Sequence, residues 1–448
     1  MTVVLFILGV LVVVVGIIVS IALHEVGHLV PAKLFGVRVT QYMIGFGRTL
    51  FSVRRGETEY GVKMIPAGGY IAMIGMYPPA EGAREDGRVR ASTTGVFQTL
   101  ADDARRASAA ELRPGDEERQ FYRLPVWKRI IIMLGGPFMN LAIGTVLIGV
   151  LLMGFGTAQP TTTVGTLSQC VVSAEQQQRT GQTSCLATDE PSPAVAAKLQ
   201  PGDTIVGFAG TDVTSWNQLT TLIRQSAGRS VPIVVERDGA RVSSTITPVV
   251  NDVSVLDAEG QPVRDANNDV RTTRAGFVGI GPQQRMVPQP ITAVPAMVGQ
   301  NIGAVVGVVL HLPQRMVEVG QAAFSDAPRD PNGPISVVGV GRIAGEVAST
   351  DLIDVQSKTA GLIGLLASVN IALFVFNLIP LLPLDGGHVA GALWEAVRRG
   401  FAKLFKRRDP GPVDIAKLMP VTYVVAGLLL VMGALLIFAD IVKPISIF

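Results

Sequence analysis

The sequence predicts an α-helical polytopic membrane protein of about four transmembrane helices, with an inserted α+β domain and a short run of β hairpins. Three observations carry this expectation. The 448 residues are 48% hydrophobic and only 16% charged, whereas soluble domains carry about 25% charged residues. Four stretches reach the roughly 20 apolar residues that a spanning helix needs. Between them lies polar text, part of it alternating with the period of two that marks strands.

The first helix is expected within residues 1–32, where Thr2 to Leu23 carries no charge. A cleaved signal peptide has a basic start and an apolar core of about 7–15 residues. Only Met1 precedes this longer run, so a retained span is expected. Residues 33–128 form the next region. Its strands are expected at Val37–Tyr42, Thr49–Val53, Tyr60–Ile65 and Gly68–Met76, followed from Pro78 to Pro114 by a mobile loop too polar to bury much. The second span falls within 129–157 and the inserted domain within 158–250.

That domain reads as a helix from Ser192 to Leu199, a turn at Pro201-Gly202-Asp203, a strand, a helix from Thr214 to Gln225 and a strand from Val231 to Arg237. In the next region, 251–358, residues Asn251 to Arg274 read as a polar loop. Ile291 to Leu312, with Pro295 near its start and polar residues at its middle, reads as an interfacial helix rather than a span. The third span is placed within 359–390, a basic loop within 391–419 and the fourth span within 420–442.

Basic flanks favour the cytoplasmic side. Lys128 and Arg129 precede the second span, and Arg398, Arg399, Lys403, Lys406, Arg407 and Arg408 follow the third. Four spans put both flanks on one side, the cytoplasm, and the 158–358 segment outside. Cys170 and Cys185 then lie in an oxidising compartment, where they either pair or remain two thiols. The net charge of +3, from 38 basic and 35 acidic residues, with no basic patch interleaved with aromatics, excludes a nucleic-acid partner.

The first span ends in His24-Glu25-Val26-Gly27-His28. On a helix, residues four apart share a face, so both imidazoles can grip one Zn²⁺, and Glu25 can act as general base on a water at the metal. Ionisable residues are costly in a spanning segment, about 2.5–3.5 kcal/mol for a charged one at its centre on insertion scales, and two of the four histidines of the chain sit here. Catalytic zinc sites hold three protein ligands and an open position. Asp385, the only acid between Lys358 and Glu395, follows the helix-breaking Pro380 and Pro383 and is the candidate third ligand; the alternative is an acid at a helix terminus. His388 is a fourth ligand, a partner of a ligand or an interfacial side chain, with a nearby non-ligand role favoured. His311 reads as a helix-end residue.

Two resemblances follow from these residues. The helix, Pro-Gly-Asp turn, strand and second helix of the inserted segment resemble a circularly permuted PDZ domain of the bacterial-protease kind. HEVGH together with Asn377-Leu378-Ile379-Pro380-Leu381-Leu382-Pro383-Leu384-Asp385-Gly386-Gly387 resembles the site-2 protease family of intramembrane zinc metalloproteases. The single-PDZ, four-span branch of regulator-of-sigma-E type is the nearest likeness, and the Ala/Val/Arg-rich text looks actinobacterial.

Gly68–Met76 resembles the family's membrane-associated β element, and Gly135–Asn140 its second-span motif. The resemblance implies one zinc per chain on His24, His28 and Asp385, with Glu25 activating water. It implies substrate contacts at Asn377, Gly69, Tyr70 and Ile71. It also implies single-span membrane substrates such as anti-sigma factors already cut by a site-1 protease, in regulated intramembrane proteolysis. The cell membrane would hold the chain, with the PDZ domain outside binding peptide C-termini or extended peptides and the active site near the cytoplasmic side.

Two other functions compete. A non-proteolytic PDZ scaffold predicts a degraded motif, yet Glu25 is present. A metal transporter predicts ionisable residues across several spans, yet here they gather at one place.

Overall fold

The computed structural model describes residues 2–78, 112–172, 185–186, 189–255, 263, 271–325, 329–330 and 333–445. Most of the loop expected from Pro78 to Pro114 lies outside the described residues. The chain divides into two compact units, residues 1–155 with 290–448, and residues 156–289.

The first unit is helical. Helix α1 (Thr2–Leu34) leaves Val4, Leu8, Leu11 and Val15 bare. An apolar helix with bare apolar sides is what lipid accepts and water does not. Helix α2 (Val126–Val150) continues through a π-turn, Leu151–Phe155, and crosses α1 where two glycines meet. A Cβ on Gly27 would lie 2.3 Å from the Gly135 carbonyl oxygen, so only glycine permits this approach.

The β element pairs strand β1 (Val39–Arg55) with β2 (Thr58–Met73). Both strands bend. Gly45 and Gly47 take φ of +91° and +86°, and Gly68 takes +150°. The bends make four legs, close to the four strands expected from the alternation. Gln41–Ile44 is central, with Glu59–Val62 on one side and Gly69–Ala72 on the other. The Gly69–Ala72 leg therefore has an outer edge without a strand partner in this sheet. Phe46, Leu50, Phe51, Met64 and Ile65 are exposed on this element.

The second unit contains strands β3 (Thr157–Leu167), β4 (Thr204–Phe208), β5 (Thr211–Asp212), β6 (Val231–Arg237) and β7 (Ala240–Ile246), helices α3 (Pro193–Ala196) and α4 (Trp216–Gln225), and the later strands β8 (Val249–Ser254), β9 (Thr272–Phe277) and β10 (Ile280–Val287). The main sheet runs β10-β3-β4-β6-β7, with β5 paired to β4. Its core holds Ile205, Phe208, Leu219, Ile233 and Val235. Ser215 caps α4 by accepting from the Gln218 N–H. The expected turn forms at Gly202, φ +97°. Cys170 and Cys185 are joined by a disulfide. The expected polar loop from Asn251 to Arg274 is strand at both ends, because β8 and β9 pair with each other.

The first unit resumes with α5 (Val294–Leu310), α6 (Leu312–Phe324), α7 (Val337–Ser349), α8 (Val355–Asn377), α9 (Asp385–Leu404) and α10 (Met419–Val442). Among the described residues five helices are long and apolar enough to cross a membrane, one more than the four counted from sequence. The extra one is Ile291–Leu310. It starts where Val294 and Val298 pack on Ile148 and Leu152 at the end of α2. The following α6 returns to the end of α10, where Val319 and Ala323 pack on Leu436 and Ala439. Arg329 pairs with Asp440 at 2.5 Å there, and the Ser336 N–H donates to the same carboxylate at 2.7 Å. His311 ends α5, its Nδ1 2.8 Å from the Gly307 carbonyl oxygen.

Two further differences concern the stretch after α8. The third apolar stretch is helical only to Asn377, and residues 378–384 form a connection before α9. The basic segment expected as a loop at 391–419 is helical to Leu404. Glu395 is fully buried on α9 and accepts from Arg129 at 2.5 Å. That pair ties the start of α2 to the middle of α9.

Candidate metal centre

His24 and His28 lie one turn apart on α1, and Asp385 opens α9. The two Nε2 atoms are 3.2 Å apart. Asp385 Oδ2 is 3.3 Å from each. Among the described residues these three make the one group of His, Cys, Asp or Glu close enough to share an ion.

Donors held about 2.0–2.1 Å from one ion at tetrahedral angles stand about 3.3–3.4 Å apart. The observed triangle has that size. Its protonation also favours a cation. His28 Nδ1 lies 2.7 Å from the Ile132 carbonyl oxygen. A carbonyl only accepts, so Nδ1 carries the proton and a neutral His28 turns the lone pair of Nε2 inward. Asp385 Oδ2 is buried and makes no hydrogen bond. A lone pair and a carboxylate oxygen this close repel unless something positive lies between them.

The neighbours of the triangle keep that space open. A Cβ on Gly136 of α2 would lie 2.2 Å from His28 Nε2 and 2.6 Å from His24 Nε2. Asn140, one helical turn further along α2 and fully buried, has Nδ2 3.0 Å from His24 Nδ1 while its own Oδ1 has no partner. Rotating the amide by half a turn presents Oδ1 to the His24 N–H, the arrangement a metal-binding imidazole needs. The three donors thus fit zinc, with a fourth position left for water or substrate.

Glu25 is buried and lies beside the β element. A Cβ on Gly69 would sit 2.9 Å from Glu25 Cγ. The Tyr70 hydroxyl donates to Gln41 instead. Asn377 ends α8 and makes no side-chain hydrogen bond among the described residues. His388, on the first turn of α9, is outside the donor triangle, with Nδ1 buried and unpartnered. Gly136 and Asn140 lie in the second-span motif, yet nothing in the sequence alone points either of them at the histidines. The available signal was a polar Asn in an apolar helix.

Comparison with known proteins agrees with this chemistry. The model of peptidase family M50 matches residues 12–408. The zinc metalloprotease Rip1 of Mycobacterium tuberculosis is 33% identical over 99% of this chain and 100% of its own length. Rip1 of Mycolicibacterium smegmatis is also 33% identical, over the same shares. The metalloprotease MmpA of Caulobacter vibrioides is 26% identical over 85% of each chain. With apolar helices fit to cross a membrane and three donors set for one tetrahedral ion, the chain belongs to peptidase family M50, the site-2 proteases, and is a membrane zinc metalloendopeptidase.

Proposed function

We propose that His24, His28 and Asp385 hold the zinc, that Glu25 is the general base, and that the chain cuts peptide bonds in or near the spanning segments of single-span membrane proteins. The observation that carries this reading is the donor triangle at 3.2–3.3 Å, two of its corners on an apolar helix long enough to span. When bound, zinc acidifies a water and polarises the scissile carbonyl.

The side chains do the rest. Glu25 takes the proton of the attacking water and returns it to the departing amine nitrogen, so the carboxylate ends as it began. The Ile132 carbonyl holds His28, and Asn140 holds His24, so that both Nε2 atoms face inward. The open edge of Gly69–Ile71 runs past Glu25 and offers backbone partners to an unwound substrate segment, which adds there as a strand. Asn377 contacts the substrate near the scissile bond. The bare apolar side chains of the β element support its seat against lipid.

The second unit is a PDZ domain on the extracytoplasmic side, binding extended peptides or C-termini. Its helix, turn and strand order and its disulfide support that reading. Anti-sigma factors shortened by a first protease are the substrate class, on the family resemblance. The topology has four crossings, with α5 and α6 leaving and rejoining the same end of the helical unit, and the metal centre near the cytoplasmic face.

A cleavage assay on candidate single-span proteins tests the proposal, comparing wild type with Glu25→Ala. The uncut membrane stub should accumulate only with the variant, while zinc content stays unchanged. Equal processing by both proteins would reject the role given to Glu25.

A further inference from the structure

Helix α9, which begins at Asp385, has two unlike faces. One packs inward through Ala392 and the fully buried Glu395, which is held by Arg129 and accepts from the Val413 N–H at 3.0 Å. The other carries Leu393, Trp394, Val397, Phe401, Leu404 and Phe405, each between 46% and 73% exposed. At about 100° per residue these six positions fill one arc of about 120°. No described residue covers them.

Basic side chains crowd the same end. Arg398, Lys403, Lys406, Arg407 and Arg408 lie within or just past the last turns. The side chains of Lys403, Lys406, Arg407 and Arg408 make no hydrogen bond or ion pair among the described residues. The two carboxylates nearest these cations pair elsewhere: Glu395 is buried and held by Arg129 and Arg399, and Asp409, after Arg408, lies 3.4 Å from the Arg399 guanidinium. The helix closes with Lys406 at φ +50° and the Arg407 N–H donating to the Ala402 carbonyl. Glycine is the usual residue at that left-handed position, so the chain keeps a cation there at a conformational cost.

We propose that α9 lies in the plane of the membrane surface with its aromatic arc among the acyl chains, and that Lys403, Lys406, Arg407 and Arg408 seat anionic phospholipid headgroups. Charge complementarity selects this occupant: an apolar arc ending in a cluster of unpaired cations matches an anionic interface, with Trp394 at headgroup depth. The headgroup seat and the third donor of the metal centre are then two ends of one helix. The inference rests on the chain being a membrane protein, and it stands whether or not the proteolytic reading holds.

The full chain, carrying Trp127→Phe and Trp216→Phe so that Trp394 alone reports, is reconstituted into vesicles. They contain brominated phosphatidylglycerol or brominated phosphatidylcholine at equal mole fraction. With the four cations near the surface, brominated phosphatidylglycerol should quench Trp394 roughly fivefold more effectively at low salt, and the preference should fall at high salt. Replacing Lys403, Lys406, Arg407 and Arg408 by Gln should abolish the preference while both lipids still quench. Equal quenching of the chain with its cations intact would overturn the anionic seat. Quenching by neither lipid would overturn the lipid contact altogether and assign the arc to a protein partner. The first comparison needs no charge variant, so a variant that misfolds leaves the test intact.

Discussion

Asn140 of α2 stands 3.0 Å from His24 Nδ1, on the side of the ring away from the donor triangle. The amide has its oxygen unpartnered in a fully buried position, a state that half a turn about the last side-chain bond repairs. Under the proposed zinc site, Asn140 fixes the tautomer and plane of His24. Partners of this kind typically change metal affinity about 10–100-fold. Asn140→Leu should therefore weaken zinc binding by about that factor in competition with a chelator, and Asn140→Asp, which keeps an acceptor, should recover part of it. Unchanged zinc affinity in Asn140→Leu would remove the residue from the site.

Gly136 tests the space itself. Any side chain there must enter the volume of both imidazole Nε2 atoms, since the nearest is 2.2 Å from the position of a Cβ. Gly136→Ala should lose most of its zinc while keeping its helix content, because alanine is a better helix former than glycine. Metal analysis together with circular dichroism separates the two effects. Stoichiometric zinc in the alanine variant would mean that the donors sit elsewhere.

Much of this centre was legible in the chain because helical spacing is short-range. HEVGH places two imidazoles on one face whatever surrounds them. Asp385 followed from being the only acid in its stretch. The four β legs followed from alternation, but the bends at Gly45, Gly47 and Gly68, which leave one edge open beside Glu25, needed the register. The helix that runs to Leu404, in place of the basic loop expected from 391, is harder to see, because Gly391, Gly400 and the basic run interrupt the helical period of Trp394, Val397, Phe401 and Leu404. Asn140 is visible in the sequence only as the last residue of the Gly135–Asn140 motif. An amide in an apolar helix has many possible partners, and only packing against α1 selects His24.

The buried pair of Arg129 and Glu395 anchors α9, and with it Asp385, to α2. Removing one member of such a pair leaves a buried charge and costs about 3–5 kcal/mol, whereas replacing both with apolar groups costs far less. Glu395→Ala should lower the unfolding midpoint in detergent micelles and loosen zinc. Arg129→Met with Glu395→Leu should recover most of the stability. A double variant as unstable as the single one would show that the pair contributes more than charge balance.

In the second unit, the Arg237 guanidinium holds the Asp203 carboxyl below the usual carboxylate range, opposed by burial and helped by the Gln200 N–H. A depressed carboxyl binds its proton less readily folded than unfolded. It therefore contributes stability above the unfolded value, about 3.9 for Asp. That contribution disappears as pH falls through the lower folded value. The pair sits between the turn that starts β4 and the end of β6, so both strands should loosen together in acid. Hydrogen exchange on the full chain, corrected for the intrinsic pH dependence, should show protection of β4 and β6 falling below about pH 4. Asp203→Asn should start with lower protection at neutral pH and lose less of it on acidification. An equally steep loss in the Asn variant would assign the acid sensitivity to other carboxylates.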